Sequence, residues 1–165
     1  MYHKATPSPG LSRAGFYAEL AGQLSGLTAG ERNWIANAAN CAALLFDALP
    51  DLNWAGFYLI EPASGDLVVG PFQGKPACTR IPVGRGVCGS AVARAEPIIV
   101  PDVHAFPGHI ACDAASRSEI VLPLWHDGRI IGVLDIDSPL PERFDAEDQA
   151  GLAAMMEVLI GASDI

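Results

Sequence analysis

The sequence predicts an α+β domain built on a mainly antiparallel central sheet. Apolar residues recur at helical spacing near both ends of the chain and in one short stretch in the middle. Extended apolar runs fill the space between, and they follow one another without the strict helix-strand alternation of a parallel sheet. With 165 residues, half of them hydrophobic, the chain is long enough for one well-buried core and short for two. The helices at the N- and C-terminal ends are expected to pack on one face of the sheet.

Residues 1–10 are rich in Pro, Ser and Thr and read as a flexible lead-in, with the single domain covering 11–165. Phe16, Leu20 and Leu24 recur at helical spacing up to Gly26, giving a short first helix. Thr28 followed by Glu31 has the pattern of a capping box. Trp34, Ile35, Ala38, Ala42, Leu45 and Leu49 then mark a longer helix to lie on the sheet, with Cys41 inside it as a small buried hydrophobe. Beyond Pro50 the pattern turns extended. Trp54 to Ile60 is a strand, a turn at Pro62–Asp66 leads into Leu67 to Val69, and Phe72 to Lys75 reads as a break. Cys78 to Ile81 reads as a third strand, and Gly84-Arg85-Gly86 leads into a short helix from Val87 to Ala95. Pro97 to Val100 is the next strand. Glu119 to Trp125 and Arg129 to Ile136 flank an Asp127-Gly128 turn, the clearest hairpin signal in the chain. A last helix begins near Asp145, with Glu147 and Asp148 in its first turn, where negative charge suits the helix dipole.

Between Val100 and Ile120 lies a long loop carrying two prolines, a glycine, two histidines, a cysteine and several acids. Loops of this length inside a compact domain are commonly functional, and Val103, Phe106, Ile110 and Cys112 give this one apolar anchors. The reading is a loop that presents the Cys112 thiol to a pocket. Cys78, Cys88 and Cys112 all fall near loops or element ends, and Cys88 sits at a helix start, where the dipole lowers a thiol's pKa. Glu119, Asp135 and Asp137 lie at or near the ends of adjacent strands, and alternation along Leu134-Asp135-Ile136-Asp137 sends both aspartates to one face. That pair reads equally as a solvated strand end or as a site.

The net charge of -9 and the pI near 4.7 argue against nucleic acid or an anionic membrane as partner. No apolar run is long enough to span a bilayer, and no signal core follows Lys4, so the expected location is the cytoplasm. In that compartment cysteines are reactive, metal-binding or simply buried more often than they form a permanent disulfide framework. Apolar terminal helices make a homodimer an expectation.

Several segments resemble the free methionine-(R)-sulfoxide reductases, which are single-domain GAF proteins: Asn53 to Tyr58, Gly70 to Gly74, Gly84 to Gly89, Pro101 to Asp113, Ser118 to Val121 and Leu134 to Ser138. The resemblance runs from about Thr28 to the C-terminus. It implies a single GAF domain with a long active-site loop, no cofactor, and thiol reduction of free methionine-(R)-sulfoxide to methionine. Three cysteines of that family have counterparts at Cys78, Cys88 and Cys112.

By resemblance, Cys112 attacks the sulfoxide sulfur and is left as a sulfenic acid, Cys78 condenses with it to a disulfide, and thioredoxin is the reductant. Cys88 stays open as a relay thiol, a second resolving thiol or the primary nucleophile. A sulfoxide oxygen leaves only when it is protonated or strongly hydrogen-bonded, so an acid must stand beside the thiolate. Glu119, Asp135 and Asp137 are the candidates, because carboxylates crowded in a half-buried pocket cannot all ionise. An ionised member of the same group could bind the substrate ammonium. Trp54 and Tyr58 share a strand face and could pack on the S-methyl group, with ordinary core packing as the competing role.

Two other readings compete. One is a GAF module that senses a small ligand without turnover, for which three placed cysteines are unnecessary. The other is a zinc site drawn from Cys78, Cys88, Cys112, His104 and His109, for which the ligand chemistry is suitable but no Cys-x-x-Cys pair is present. The histidines otherwise order the loop or favour the Cys112 thiolate by placing positive charge nearby.

Overall fold

The computed structural model describes residues 8, 10–110 and 112–165. The lead-in expected over 1–10 therefore lies almost wholly outside the described residues. Helices α1 (Arg13–Leu27) and α2 (Trp34–Ala48) precede strands β1 (Trp54–Ile60), β2 (Leu67–Gly74) and β3 (Arg80–Ile81). Helix α3 (Gly86–Arg94), strands β4 (Ile98–Val100), β5 (Ser118–His126) and β6 (Arg129–Ser138) and helix α4 (Ala146–Ala162) complete the order. The six strands form one sheet in the order β3-β2-β1-β6-β5-β4, with every neighbouring pair antiparallel. Asp127 and Gly128, both at positive φ (48° and 72°), close the β5–β6 hairpin as its two-residue turn requires.

Alternation along the central strands divides the interior in two. Ala55 and Phe57 of β1, Ile120, Leu122 and Leu124 of β5, and Leu134 and Ile136 of β6 face α1, α2 and α4 and form the larger core with them. Trp54 and Tyr58, Val121 and Val133 point the other way, toward α3 and the loop after β4, and make a smaller cluster with Val87, Cys88 and Val103. The terminal helices do cover one face. Their apolar residues Leu20, Leu24, Leu152, Met155 and Leu159 are fully enclosed there. At the start of α4, Asp145 accepts from Glu147 and Asp148 amides, while the buried Asp148 carboxylate accepts from Tyr17 and Arg13 and tethers α4 to α1.

Four local expectations are corrected. Thr28 is not an N-cap: it ends α1, its hydroxyl donating to the Leu24 carbonyl, and α2 starts six residues later at Trp34, capped by the Asn33 side chain accepting from Ala36. The backbone must first turn through Gly30, at φ 80°, before the second helix can begin. Ile35 is 66% exposed and lies outside the apolar stripe. Strand β2 continues through Phe72 and Gln73, because antiparallel pairing with Gly56 and Ala55 supplies hydrogen-bond partners that local propensity cannot reveal. Conversely β3 keeps only Arg80 and Ile81, leaving Cys78 in the preceding loop.

Candidate active site

Strand register builds the floor of the site. Trp54 of β1 pairs with Asp137 of β6, which pairs in turn with Glu119 of β5. One step along, Gly56 pairs with Asp135, which pairs with Val121. Three carboxyls and an indole thus share one face on three adjacent strands. Gly56 is required there. A Cβ at that position would stand 2.3 Å from the Phe72 Cβ and 2.8 Å from the Trp54 ring, which lies stacked between Tyr58 and Phe72 at centroid distances of 5.7 and 5.2 Å. The aromatic wall therefore depends on a missing side chain.

The roof comes from α3 and from the loops before β3 and before β5. Trp54, Tyr58, Cys88, His109, Cys112, Glu119, Asp135 and Asp137 all line one cavity of about 40 Å³, room for a few water molecules. Cys78 and Cys112 are joined by a disulfide with their Cα atoms 5.6 Å apart. The Tyr58 hydroxyl donates to the Cys78 carbonyl at 3.1 Å, so the aromatic wall also holds the loop that carries one half of the disulfide. Val103 is buried, and Phe106 and Ile110 pack on the smaller core, as anchors should.

Burial dominates the electrostatics. Glu119 and Asp135 are 5% and 6% exposed, and Glu119 is pushed well above the ordinary carboxylate range, first by desolvation and then by the neighbouring aspartates. Asp135 rises less, to about 7, because the Cys88 thiol and the Glu119 carboxyl donate to it. Asp137 is also raised by burial and by Asp135, against a hydrogen bond from Ser116. The physical state at neutral pH is a carboxyl cluster that retains protons, with Glu119 the donor and Asp135 the acceptor. Among the described residues, Trp54 Nε1 and Asp135 Oδ1 are buried polar atoms without a hydrogen-bond partner, and both belong to this site. Burial also lowers the proton affinity of His109, whose Nε2 lies 3.7 Å from Glu119, so the ring is neutral beside a protonated acid.

A model of the GAF domain family matches residues 36–159. The chain is 55% identical over 157 residues to the free methionine-R-sulfoxide reductase of Escherichia coli, covering 93% of this chain and 94% of that one. The chain belongs to the free methionine-(R)-sulfoxide reductases of the GAF fold. The yeast free methionine-R-sulfoxide reductase of Saccharomyces cerevisiae is 41% identical over 158 residues, covering 92% of this chain and 88% of that one. The solved reductase from Neisseria meningitidis in complex with its substrate superposes with a TM-score of 0.90 at 46% identity, covering 97% of this chain and 95% of that one.

The residues singled out in the sequence largely converge in this GAF reductase: Cys88, Cys112, the three acids, Trp54 and Tyr58 line one pocket, and Cys78 is joined to it through its bond to Cys112. The zinc set does not assemble. Cys78 and Cys112 are bonded to each other, and His104 turns to Asp102 at 2.9 Å, where it serves the short turn Val103–Ala105. The group of described residues whose ligand atoms approach within 4.8 Å of one another is Cys88, Glu119 and Asp135, one thiol and two carboxyls. The helix-start argument for an acidic Cys88 also gives way, since the thiol is buried against carboxylates and pushed well above its usual value. Cys41 is enclosed in the larger core and pushed up to about 12 by burial alone.

Sequence reasoning missed the polar frame of the loop. Asp113 accepts from Asn53 Nδ2 at 3.1 Å, from the Ala115 amide at 3.0 Å and from Lys75 Nζ, and Asn53 Nδ2 also donates to Ser116 Oγ at 2.9 Å. Asp113 directly follows Cys112, which was the available signal. Nothing local pointed to Lys75 or Asn53.

Proposed function

We propose that this chain reduces free methionine-(R)-sulfoxide to methionine in the cytoplasm with thioredoxin as reductant, Cys112 being the nucleophile and Cys78 the resolving thiol. The observation that carries the reading is the Cys78–Cys112 disulfide at the mouth of a pocket whose floor is a buried, proton-retaining carboxyl cluster. A thiol pair and an acid are the two components that sulfoxide reduction needs.

In the first step the Cys112 thiolate attacks sulfur, Glu119 delivers a proton to the sulfoxide oxygen, and that oxygen passes to Cys112 as a sulfenic acid while methionine departs. In the second, the Cys78 thiol displaces the oxygen as water and the disulfide forms. A dithiol reductant then returns both thiols. Asp135, closest of the three acids to ionisation and with Oδ1 unpartnered, is suited to the substrate ammonium, and Asp137, kept protonated by burial and by Asp135, offers it a neutral carbonyl oxygen as a further acceptor. Trp54 and Tyr58 face the S-methyl end, and the free indole N–H is one further donor for the substrate's oxygens. Cys88, reduced and of raised pKa, donates to Asp135 and is not the nucleophile in this scheme.

The test is to supply the protein and a thioredoxin system with racemic free methionine sulfoxide and, separately, its N-acetylated, peptide-like form. Consumption of only the free R epimer is expected. Equal consumption of the acetylated compound would remove the ammonium assignment, and tight binding of the sulfoxide without methionine formation would favour a sensing module.

A further inference from the structure

We propose that Lys75, Asp113 and Asn53 form a latch that holds the Cys112 loop against the Cys78 loop independently of the disulfide, so that the reduced cysteines stay within reach of one another. This rests on the two-thiol reading above for its role in turnover, but not for its existence.

Lys75 lies three residues before Cys78 and Asp113 one residue after Cys112, so the Lys75–Asp113 ion pair, at 3.2 Å, joins the same two loops as the disulfide. Asn53 adds a second attachment. Its amide donates to both Asp113 and Ser116, and its own backbone N–H donates to the Asp137 carbonyl at 3.0 Å, which ties the loop to the sheet. The Asp113 side chain is 14% exposed while Lys75 is 68% exposed, so the carboxylate is fixed and the lysine closes over it from solvent. The lysine has an electrostatic reason to be there. Asp113 raises the proton affinity of Asp137, which means that without a cation the loop would bring an anion toward an acidic pocket.

Without such attachments the two thiols, separated by 34 residues of chain, would meet only against loop-closure entropy. A latch that closes the same loop raises the effective concentration of one thiol at the other. Linkage makes the effect mutual, so the disulfide strengthens the latch and the latch strengthens the disulfide. In turnover this shortens the life of the Cys112 sulfenic acid and with it the chance of further oxidation to sulfinic acid.

The experiment equilibrates the Cys78–Cys112 pair of the full chain with oxidised and reduced glutathione, in which two glutathione thiols are oxidised for each protein disulfide reduced. Wild type, Lys75→Arg, Lys75→Met and Lys75→Glu are compared in low salt and in about 1 M salt, where exposed charges are screened beyond about 3 Å. The expected order of disulfide stability in low salt is wild type and Arg together, Met about two- to fivefold lower as for other solvent-exposed ion pairs, and Glu lower again, with the four converging in high salt. After a single exposure to methionine sulfoxide, Lys75→Met should also show a longer delay between methionine release and thiol loss. Four equal equilibria in low salt, or differences that persist unchanged in high salt, would overturn the latch. No sulfoxide enters the glutathione measurement, so its result stands apart from that of the reductase assay.

Discussion

The two faces of one sheet make the instructive comparison. The same three strands, β1, β5 and β6, send Ala55, Phe57, Ile120, Leu122, Leu134 and Ile136 to one side and Trp54, Tyr58, Glu119, Asp135 and Asp137 to the other. Both faces are buried. On the helix side burial stabilises, because only apolar atoms are removed from water. On the pocket side it raises the proton affinity of three acids and leaves an indole N–H and a carboxyl oxygen without partners, each at a cost to the folded state. A single alternation thus gives one surface that holds the fold together and another that is held in place by it.

Breaking the chemistry gives the largest expected effect. Cys112→Ser should reduce methionine formation to background while leaving the helix-face core untouched, as read by product release and by an unchanged far-ultraviolet spectrum. Activity retained in that variant and lost in Cys88→Ser would move the nucleophile.

Breaking the helix face comes next. Leu134 is fully buried there, and Leu134→Ala should lower stability by about 2–5 kcal/mol in chemical denaturation.

The pocket face should respond with the opposite sign. Asp135 has a folded-state pKa of about 7 against an ordinary value of 3.8, so the folded form prefers the protonated carboxyl. Its contribution is fully present below the ordinary value and is lost as pH rises through about 7. The wild type should therefore lose on the order of 1–4 kcal/mol between acid and mildly alkaline conditions from this site. Asp135→Asn should flatten that slope and be the more stable protein at alkaline pH. Glu119→Gln should slow methionine release more than the later disulfide step. Parallel pH-stability curves for wild type and Asp135→Asn would mean that the pocket is wetter than its burial indicates.

The smallest effect sharpens the comparison further. Trp54→Phe keeps a ring between Tyr58 and Phe72 but removes the unpartnered indole donor, so a severalfold rise in KM with stability changed by less than about 1 kcal/mol is expected. A large loss of stability instead would make Trp54 a packing residue first.

Legibility in the sequence divides along the same line. The helix face could be read because its signal is periodic: Leu20 and Leu24, Ala38 and Leu45, and Leu152 and Leu159 repeat at the spacing of the element that buries them. The Asp127-Gly128 hairpin could be read from local backbone chemistry. The carboxyl cluster was legible only as far as alternation reaches, which places Asp135 beside Asp137; the pairing of Glu119 with Asp137 is a matter of register between strands. The length of β2 was hidden because Phe72 is placed by its pairing with Gly56 of another strand, whereas the start of α2 is marked by a local cap, Asn33 accepting from Ala36, which the Thr28–Glu31 pattern masked. The acidity expected of Cys88 failed for a related reason. The helix start was correctly located, but what the thiol faces was not visible.

The most direct test of the account is a single turnover. Pre-reduced protein is mixed with one equivalent of the R epimer of free methionine sulfoxide, methionine is quantified, and each cysteine is assigned as thiol or disulfide by peptide mapping. The account predicts about one methionine for each Cys78–Cys112 disulfide formed, with Cys41 and Cys88 remaining thiols. Methionine formed with Cys88 consumed and Cys112 free would contradict the assignment of the nucleophile, and intact thiols with no methionine would contradict the account as a whole.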